Sequence, residues 1–464
     1  MAKKRSYTSG RLFLAAVATL LSLAFLYHTI SPRSSTGVAR WIHNSPYAWD
    51  ALKTATVTVT FHAPAPTTIA PVLANEIPAA LFKENLRPEF KYITSWPAFG
   101  WNNQVMQYMN LIYLGLITER IPILAPFTPN GHVISAGFVE FGEVFDIPRL
   151  EEEMGLRILE WSQVKDPNSE MLEDLGCWKL PLVEAEQRKA LWRPHNLELD
   201  ISYTLTPEWV KVEPRPGEYN DMQSTFWSLA SLGYPDTRPA NSDIEPELSP
   251  VHNVALYPDE DVLCFDNLYY VCAHKGFEFE EPYSPAWRFV GRHMHWTSAI
   301  QDIADNYTRE ALGVGPGEWI PPYISAHIRR YDFERLCDDD VPIEDCFAPL
   351  SAYVRRVDEV KAEIFSTKGI SVDQVIVTGD ERDPEWWYAV HELGWVTTDH
   401  SQTAERYGGW YPTFIDGAIQ SGGLGFVGTW KSTVSILADR RVSAWQNGAV
   451  RTVHWGYKGA DEND

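Results

Sequence analysis

Short apolar runs alternate with helically spaced apolar residues from about residue 90 to residue 125. Tyr92–Ser95 and Ile121–Leu124 have the length and apolar character of buried parallel strands. Between them, Gln104–Thr118 carries apolar residues at helical spacing, among them Val105 and Met109. A strand, a helix and a second strand in this order predict the repeating unit of a parallel α/β sheet.

The same alternation returns after residue 320 and predicts a second α/β half. Its predicted elements are strands at Tyr323–Ala326, Gln374–Val377 and Gly425–Val427 and helices at Ala352–Phe365, Pro384–Leu393 and Ser435–Asp439. The acidic, proline-rich middle of the chain predicts helices at Glu151–Glu160 and Glu184–Leu191. The simplest account is an α/β protein with two halves, residues 89–314 and 315–464, and a ligand cleft between them.

The N-terminal region predicts a membrane anchor. Residues 12–30 form a mostly apolar run of about the length that crosses a bilayer. More basic residues precede this run than follow it, so the positive-inside rule keeps residues 1–11 in the cytosol and sends the rest to a lumen or outside. A cleaved signal peptide is the competing interpretation. We predict a single-pass type II anchor at 12–30, followed by a stem at 31–88.

Charge and cysteine content narrow the class of protein. A net charge of −23 argues against nucleic-acid partners, whose phosphates would be repelled. The five cysteines suit an oxidising compartment. Either Cys264 with Cys272 or Cys337 with Cys346 could close a local disulfide, which would leave Cys177 free. Asn306-Tyr307-Thr308 is a sequon for N-glycosylation if this part of the chain is lumenal.

The segment Ser325–Phe333 is the most informative part of the sequence. It places His327, Arg329, Arg330 and Asp332 directly after a predicted strand. Arginine stays protonated and its planar fork matches phosphate oxygens, and the carboxyl edge of a parallel sheet is where α/β proteins bind ligands. We therefore predict an anion site, most simply for phosphate. The alternative is a structural ion pair of an arginine with Asp332 or with the acidic loop at 338–340.

Two further loops follow predicted strands and carry polar side chains. Gly100, Asn102 and Asn103 precede the first long helix, where backbone amides and asparagine side chains can bind an anion or a hydroxyl-bearing ligand. Simple helix capping by Asn102 or Asn103 is the alternative. Asp380 follows the strand at 374–377 and could hold ribose hydroxyls, or it could merely begin a turn.

A third strand-to-helix turn, at 426–433, is rich in hydroxyl groups. Thr429, Ser432 and Thr433, with their amides, could bind a phosphate with help from the helix dipole, and an N-cap is again the alternative. Asp416, upstream on a predicted amphipathic helix, could reach a base or a ribose.

Several short motifs have the residue spacing of known sites but lack the other features that those sites require. The glycines at 423, 425 and 428 match a dinucleotide fingerprint, but their second half is itself the predicted strand. Asp-x-Asp triplets at 259–261 and 338–340 are expected by chance among 62 acidic residues and favour solvated turns. His293-x-His295 lacks a third ligand. We therefore predict no metal site.

Taken together, the segments at 99–104, 327–332 and 416–435 resemble the motifs of the GDP-fucose-dependent fucosyltransferase group, which includes protein O-fucosyltransferases and α-1,6-fucosyltransferases. The resemblance implies a GT-B fold with two Rossmann-like domains, transfer with inversion, no metal and no cofactor. GDP-fucose would be the donor and a protein or glycan hydroxyl the acceptor. Residence in the Golgi or the endoplasmic reticulum follows from the resemblance and the predicted anchor.

The resemblance also implies roles for individual residues. Arg329 would contact the β-phosphate, and Asn103 would hold the fucose–diphosphate portion. Asp416, Ser432 and Thr433 would hold the nucleotide. Asn102 stands where the group usually has glycine, and no glutamate lies between Ile93 and Gln104, where some members carry a base. Asp332 is then a candidate base by proximity.

Two other functions fit the same sequence. One is a transferase of the same fold that uses another nucleotide sugar. The other is a membrane-tethered, non-catalytic binder of glycans or glycoproteins. The absence of the loop glutamate favours the binder, whereas Arg329, Arg330 and Asp332 favour a transferase because a glycan binder needs no diphosphate site.

Overall fold

The computed structural model describes residues 71–129, 135–180, 197–212, 223–234, 236 and 244–462. The predicted tail, the anchor at 12–30, most of the stem and the predicted helix at 184–191 lie outside these ranges. Within them, every helix is too short or too polar to cross a membrane.

A parallel sheet forms the centre of the N-terminal half. Its six strands in the described residues lie in the order β3-β2-β1-β8-β4-β5. They are β1 Tyr92–Ser95, β2 Ile121–Leu124, β3 Leu159–Glu160, β4 Glu173–Lys179, β5 Leu199–Leu205 and β8 Val262–Phe265. A small mixed sheet beside it contains β6 Lys211–Val212, β7 Gln223–Thr225 and β9 Val271–Cys272. The predicted bounds of β1 and β2 are confirmed.

A second parallel sheet forms the centre of the C-terminal half. Its five strands in the described part of the chain lie in the order β12-β11-β10-β13-β14. They are β10 Tyr323–Ile328, β11 Gln374–Gly379, β12 Val396–Thr397, β13 Gly425–Thr429 and β14 Ala449–Val453. Every residue of β10 is buried, which explains its almost unbroken apolar sequence.

Helices cover both sheets. In the described residues they are α1 Phe82–Asn85, α2 Trp101–Thr118, α3 Phe141–Val144, α4 Ile147–Met154, α5 Trp161–Val164, α6 Phe226–Ser231, α7 Pro285–Phe289, α8 Ser298–Leu312, α9 Ile343–Cys346, α10 Leu350–Lys368, α11 Pro384–Glu392, α12 Thr403–Tyr407, α13 Tyr411–Gly422 and α14 Thr433–Arg441. A π-helical turn, Val442–Gln446, continues α14.

The predicted helix at 151–160 is wrong in its bounds. Asp146 caps α4 by accepting the Arg149 amide, so the helix begins earlier than predicted. Gly155 then ends it with a φ of 65°, a left-handed conformation that favours glycine. The last two predicted residues instead form β3, because the chain has already left the helix.

The two halves share an aromatic core. Trp101 at the start of α2 lies 5.6 Å from Trp296 and 5.5 Å from Phe414 of α13, measured between ring centroids. Trp410, also near the start of α13, donates its indole N–H to the carbonyl of Gly137. Large buried rings contribute heavily to packing energy, so this cluster fixes the C-terminal half against the loops of the N-terminal sheet.

The predicted stem extends too far toward the C-terminus. Residues 71–88 belong to the folded unit, which begins at Pro71. Phe82 is fully buried, and its amide donates to the Glu173 carboxylate at the start of β4. This segment therefore packs against the apolar core of the N-terminal half, although the prolines of the segment are typical of an extended linker.

One of the two disulfide predictions is wrong. Cys337 and Cys346 are bonded, as expected. Cys264 is bonded to Cys177, so that the bridge joins the neighbouring strands β8 and β4, and Cys272 is a buried free thiol. Strands that are adjacent in space can be far apart in sequence, and here the separation is 87 residues.

This pairing gives a direct test. Peptide mapping of the non-reduced protein should recover Cys177 linked to Cys264 and should find Cys272 alone alkylated after denaturation. Replacing both bridged residues by alanine should lower the free energy of unfolding by roughly 2–5 kcal/mol, because the closed loop is long. Cys272→Ala is the matched control, and a Cys264–Cys272 peptide would contradict the pairing.

Candidate functional site

The carboxyl ends of three neighbouring strands bring most of the predicted residues together. Strand β10 lies between β11 and β13 and runs parallel to both, with Ile328 opposite Gly379. Arg329, Asp380 and Thr429 therefore emerge side by side at one edge of the sheet. The spacing of parallel strands makes such an edge a standard ligand site in α/β proteins.

Arg329 is held by two carboxylates. One terminal nitrogen lies 2.6 Å from Asp332 and the other lies 3.1 Å from Asp380. The ring of Phe333 lies 5.5 Å from the guanidinium carbon. The ion pair with Asp332 that the sequence allowed is therefore present. It fixes the guanidinium at the sheet edge, mostly shielded from solvent.

The side chain of Arg330 has different partners from that of Arg329. Its Nε lies 2.6 Å from Glu381, and its guanidinium packs against the rings of Phe347, at 4.6 Å, and Trp386, at 5.6 Å. Its backbone amide donates to Asp380. These contacts are those of a residue that supports the site rather than one that faces a ligand. Two arginine side chains and the three carboxylates of Asp332, Asp380 and Glu381 thus lie together at this edge of the sheet.

The hydroxyl of Thr429 joins three segments. It accepts the backbone amide of Arg329 at 3.0 Å, contacts the Tyr353 hydroxyl at 2.8 Å and donates to the carbonyl of His327 at 3.0 Å. Because these partners occupy the hydroxyl, Thr429 positions the residues around it and has little capacity left for a ligand.

His327 is almost completely buried, with 5 % of its surface exposed. Its Nδ1 lies 2.9 Å from Ser435 Oγ, which also accepts the Thr429 amide. We assign the Ser435 hydroxyl as the donor to Nδ1, an assignment that places the histidine proton on Nε2. Burial, assisted by the charge of Arg329, lowers the pKa of His327 to about 3, so the ring is neutral near pH 7.

Asn103 and Thr433 connect the two halves of the chain at this edge. The Thr433 hydroxyl donates to the Asn103 side-chain oxygen at 2.8 Å. Gly100 is the N-cap of α2, and no side chain caps this end. Asn102, which is buried, and Asn103 lie within the first turn, so the capping alternative is wrong for both. Uncapped amides and the helix dipole leave partial positive charge here.

The loop before α2 is strained. Phe99 has a φ of 72°, a conformation that side chains other than glycine seldom adopt. Its ring packs 5.4 Å from Tyr269 and 6.3 Å from Tyr270, which follow β8. Aromatic packing from the neighbouring strand end therefore stabilises a loop shape that presents Gly100 and the start of α2.

Ser432 and Asp416 have partners of their own. Ser432 is the N-cap of α14 and accepts the Ser435 amide at 3.4 Å, so its capping role is confirmed. Asp416 accepts from His400 Nε2 at 2.8 Å and from the Thr398 hydroxyl at 3.0 Å. These contacts lie beyond the end of β12, beside the edge of the sheet rather than at Arg329.

Three residues that contact predicted site residues were not predicted as their partners. Tyr353, Glu381 and His400 contact Thr429, Arg330 and Asp416, respectively. The partners are separated in sequence by 76, 51 and 16 residues, respectively, so no local pattern marks these contacts. Ser435 was visible only as part of the motif at 426–435.

Three of the motifs discounted above have structural contacts. Gly428 lies within β13, and a Cβ there would come within 2.7 Å of Ser435, so glycine permits close packing of strand and helix. Asp259 accepts the amides of Asp261 and Val262 in a turn. His293 pairs with Glu153, whereas His295 stacks on Trp445.

One group in the described residues has the spacing of a cation site. Potential ligand atoms of Asp174, Asp200 and His252 lie within 4.8 Å of one another. The Asp200 oxygens already accept from Ser249, Val251 and His252 amides or hydroxyls, and His252 Nδ1 lies 2.8 Å from Asp174. The group lies at the amino ends of β4 and β5, away from Arg329.

The solved structures that resemble this fold include fucosyltransferases. A crystal structure of POFUT1 in complex with GDP-fucose matches with a TM-score of 0.50 and 15 % identity, over 79 % of this chain and 98 % of that one. Fucosyltransferase NodZ from Bradyrhizobium matches with a TM-score of 0.37 and 12 % identity, over 75 % and 92 %. The POFUT1 match confirms the predicted GT-B-like α/β fold; the NodZ match is too distant to add to it. No protein-family model and no curated protein sequence matches the chain.

The buried His327 predicts a pH dependence of stability. Its pKa is lower in the folded state than in the unfolded state, so the unfolded chain takes up the proton first as pH falls below about 6.5. The stabilisation that depends on a neutral His327 is thus complete above that pH. The free energy of unfolding then decreases as pH falls from about 6.5 toward 3. Between pH 7 and pH 5 the loss should be about 2 kcal/mol.

Chemical denaturation of the wild type and His327→Asn at both pH values measures this effect. The decrease in unfolding free energy should be smaller in the variant by about that amount. Comparing the two decreases, rather than the absolute stabilities, removes the cost of the substitution itself. Equal decreases in both proteins would contradict the assignment of a neutral, buried ring.

Proposed function

We propose that the protein is a glycosyltransferase that moves fucose from GDP-fucose to a hydroxyl group of a protein or glycan. The observation that carries the proposal is the position of Arg329 at the carboxyl edge of the C-terminal sheet, the edge at which Thr433 follows β13 and donates to Asn103. The likeness in fold to POFUT1, crystallised with GDP-fucose, supports the choice of donor.

The chemistry requires stabilisation of a leaving diphosphate. As the acceptor oxygen forms its bond to the anomeric carbon of fucose, the bond from that carbon to the β-phosphate oxygen breaks, and negative charge grows on GDP. A fixed guanidinium, the Nε2 proton of neutral His327 and the amides at the start of α2 and α14 are suitable donors for that charge. We propose that they act without a metal and that the configuration is inverted.

The ion pairs of Arg329 suggest how donor binding prepares the site. A diphosphate that binds Arg329 competes with Asp332 and Asp380 for the charge of the guanidinium and for part of its five N–H groups. We infer that the phosphate replaces Asp332 while Asp380 keeps the guanidinium in place. The released Asp332 carboxylate would then accept the proton of the acceptor hydroxyl, the role of a general base.

The remaining predicted residues divide into two groups. Asn103 and Thr433 face each other across the two halves and are proposed to contact the fucose–diphosphate portion and the nucleotide. Asp416, with His400, is proposed to contact the base or ribose. Thr429, Ser432 and Arg330 are assigned a positioning role, because their polar groups are engaged within the protein.

A non-catalytic binder of glycans remains the second candidate. The observation that favours it is the engagement of both terminal nitrogens of Arg329 by carboxylates, together with the missing loop glutamate. A same-fold transferase for another nucleotide sugar would share the diphosphate site and differ in the base it accepts.

A lumenal location is part of the proposal. The two disulfides favour an oxidising compartment, and Asn306 of the sequon is exposed on α8. We propose membrane attachment through residues 12–30 from their apolar run, and residence in the Golgi or the endoplasmic reticulum from the family resemblance together with that anchor.

Arg329→Lys tests the diphosphate role without a known acceptor. Lysine keeps the charge but loses the planar fork, so slow hydrolysis of GDP-fucose, with water as the acceptor, should decrease by roughly 100-fold or more. Arg330→Lys is the matched control and should lose much less, because its side chain contacts Glu381 instead. A chelator should leave the rate unchanged. Wild-type hydrolysis by Arg329→Lys would refute the role.

Asp332→Asn tests the exchange of partners. Removing the competing carboxylate should tighten GDP binding, roughly 10-fold if one charge-assisted hydrogen bond is released from competition. Turnover of GDP-fucose should nevertheless fall roughly 100-fold, because the base is lost. Asp338→Asn, in the exposed acidic loop nearby, should change neither. Weaker GDP binding by Asp332→Asn would contradict the exchange.

A further inference from the structure

A cavity lies at the amino edge of the C-terminal sheet, away from the proposed donor site. It has a volume of about 760 Å³ and is lined at the amino ends of β10 and β13 by Tyr323 and Leu424. Gln301 and Asp305 of α8 line another side of it. Because Arg329 follows the carboxyl end of β10, the length of this strand separates the cavity from the donor site.

The lining of this cavity includes a highly exposed aromatic ring. Trp319 has 74 % of its surface exposed, a larger fraction than any other tryptophan in the described residues. Ile320, Pro321 and Pro322 continue the apolar segment and also line the cavity. Single exposed apolar side chains are common, whereas contiguous apolar surface often marks an interaction site. We therefore expect a partner for the apolar segment at 319–322.

The single N-glycosylation sequon of the sequence lies beside this segment. Asn306, its first residue, is exposed on α8. Arg309, which follows on the same helix, donates from Nη1 to the Asn306 side-chain oxygen at 3.4 Å. The Nε of Arg309 donates to the carbonyl of Glu318 at 2.9 Å. One arginine side chain therefore connects Asn306 to the residue directly before Trp319.

The contact with Arg309 also orients the Asn306 amide. Because a guanidinium can only donate hydrogen bonds, the amide atom that it contacts is the oxygen Oδ1. Nδ2 then has no hydrogen-bond partner among the described residues. Nδ2 is the atom to which an N-linked glycan is attached, and a sugar on Nδ2 leaves Oδ1 able to accept from Arg309.

The rest of the lining suits a neutral sugar ring. The charged side chain of Arg149 pairs with Glu153 at 2.9 Å, and Asp305 accepts from Gln301 at 2.8 Å. Gln446 adds a further amide group to the lining. Aromatic faces with a few polar groups bind rings that have an apolar face and a polar rim, as a sugar does. Such a sugar, attached at Asn306, does not have to enter the cavity from solution.

The other two residues of the sequon determine when the modification can occur. Thr308 is 2 % exposed, and its hydroxyl donates to the carbonyl of Ala304 at 2.8 Å. Tyr307 is also buried, and its hydroxyl contacts that of Thr403 at 2.7 Å. A transferase that recognises Asn-x-Thr therefore reaches this sequon only before α8 has folded. The glycan is then already present when the segment at 319–322 packs.

We propose that Asn306 carries an N-linked glycan and that the innermost sugar of this glycan packs on the exposed ring of Trp319. In the modification, Nδ2 forms a bond to the anomeric carbon of a glycosyl diphosphate donor. The bond from that carbon to the diphosphate breaks, and Nδ2 loses one proton to a base of the modifying transferase. The proposal rests on the lumenal location proposed above and does not depend on the donor site at Arg329.

Peptide mapping of the full chain, produced in cells with a secretory pathway, tests the modification. The peptide that contains Asn306 should carry a glycan, and peptide N-glycosidase should convert this residue to aspartate. Glu170→Thr supplies a reporter, because it completes a second sequon at the exposed Asn168. A glycan at Asn168 with none at Asn306 overturns the proposal and leaves the lumenal location intact. A chain without a glycan at either position contradicts both.

The rate at which peptide N-glycosidase releases the glycan from the native protein tests the contact with Trp319. A packed sugar is cleaved only while it is detached from the ring. Release from Trp319→Ala should therefore be roughly 5-fold faster than release from the wild type, the factor that one aromatic contact supplies. Trp227→Ala is the matched control, because this tryptophan of α6 is 64 % exposed. It should release the glycan at the wild-type rate.

Unfolding in denaturant, before and after enzymatic removal of the glycan, gives a second measure of the same contact. Removal should lower the folding equilibrium constant roughly 5-fold more in the wild type and in Trp227→Ala than in Trp319→Ala. Comparing these ratios cancels the cost of each substitution by itself. Equal release rates from the wild type and Trp319→Ala, or equal effects of glycan removal on their stability, overturn the contact.

Discussion

The contact of Arg329 with two carboxylates is the interaction on which the proposed site depends. Asp332 and Asp380 hold one guanidinium at the end of β10, and the Thr429 hydroxyl fixes the backbone of the same residue. An arginine held in this way costs little reorganisation when charge develops nearby, which is the basis of electrostatic stabilisation in enzymes. The same carboxylates neutralise the guanidinium, so a diphosphate competes with them for its charge.

The aromatic core between the halves makes this arrangement possible. Trp101 begins α2 and also packs on Trp296 and Phe414, so the helix end that presents Asn103 is fixed against the C-terminal half. Thr433 completes the contact. The two halves therefore meet at the site through packing as well as through hydrogen bonds, and a substitution in the aromatic core would displace the polar groups.

Local sequence was sufficient for the strongly apolar strands and the long helices, and insufficient for the acidic middle of the chain and for the partners of individual residues. Buried parallel strands such as Tyr92–Ser95 are uninterrupted apolar runs, so their positions are encoded locally. The bond between Cys177 and Cys264 and the contact of Tyr353 with Thr429 depend on which strands and helices become neighbours. The sequence also could not show that Arg330, adjacent to Arg329, turns toward Glu381, because the two side chains leave the strand end in different directions.

Calorimetric titration with GDP and UDP is the most direct test of the account. The wild-type chain should bind GDP and not UDP, and Arg329→Ala should lose GDP binding while Arg288→Ala retains it. This result would establish a guanine-specific diphosphate site at the end of β10. If GDP does not bind, or if it binds equally well to Arg329→Ala, the diphosphate site proposed here does not exist.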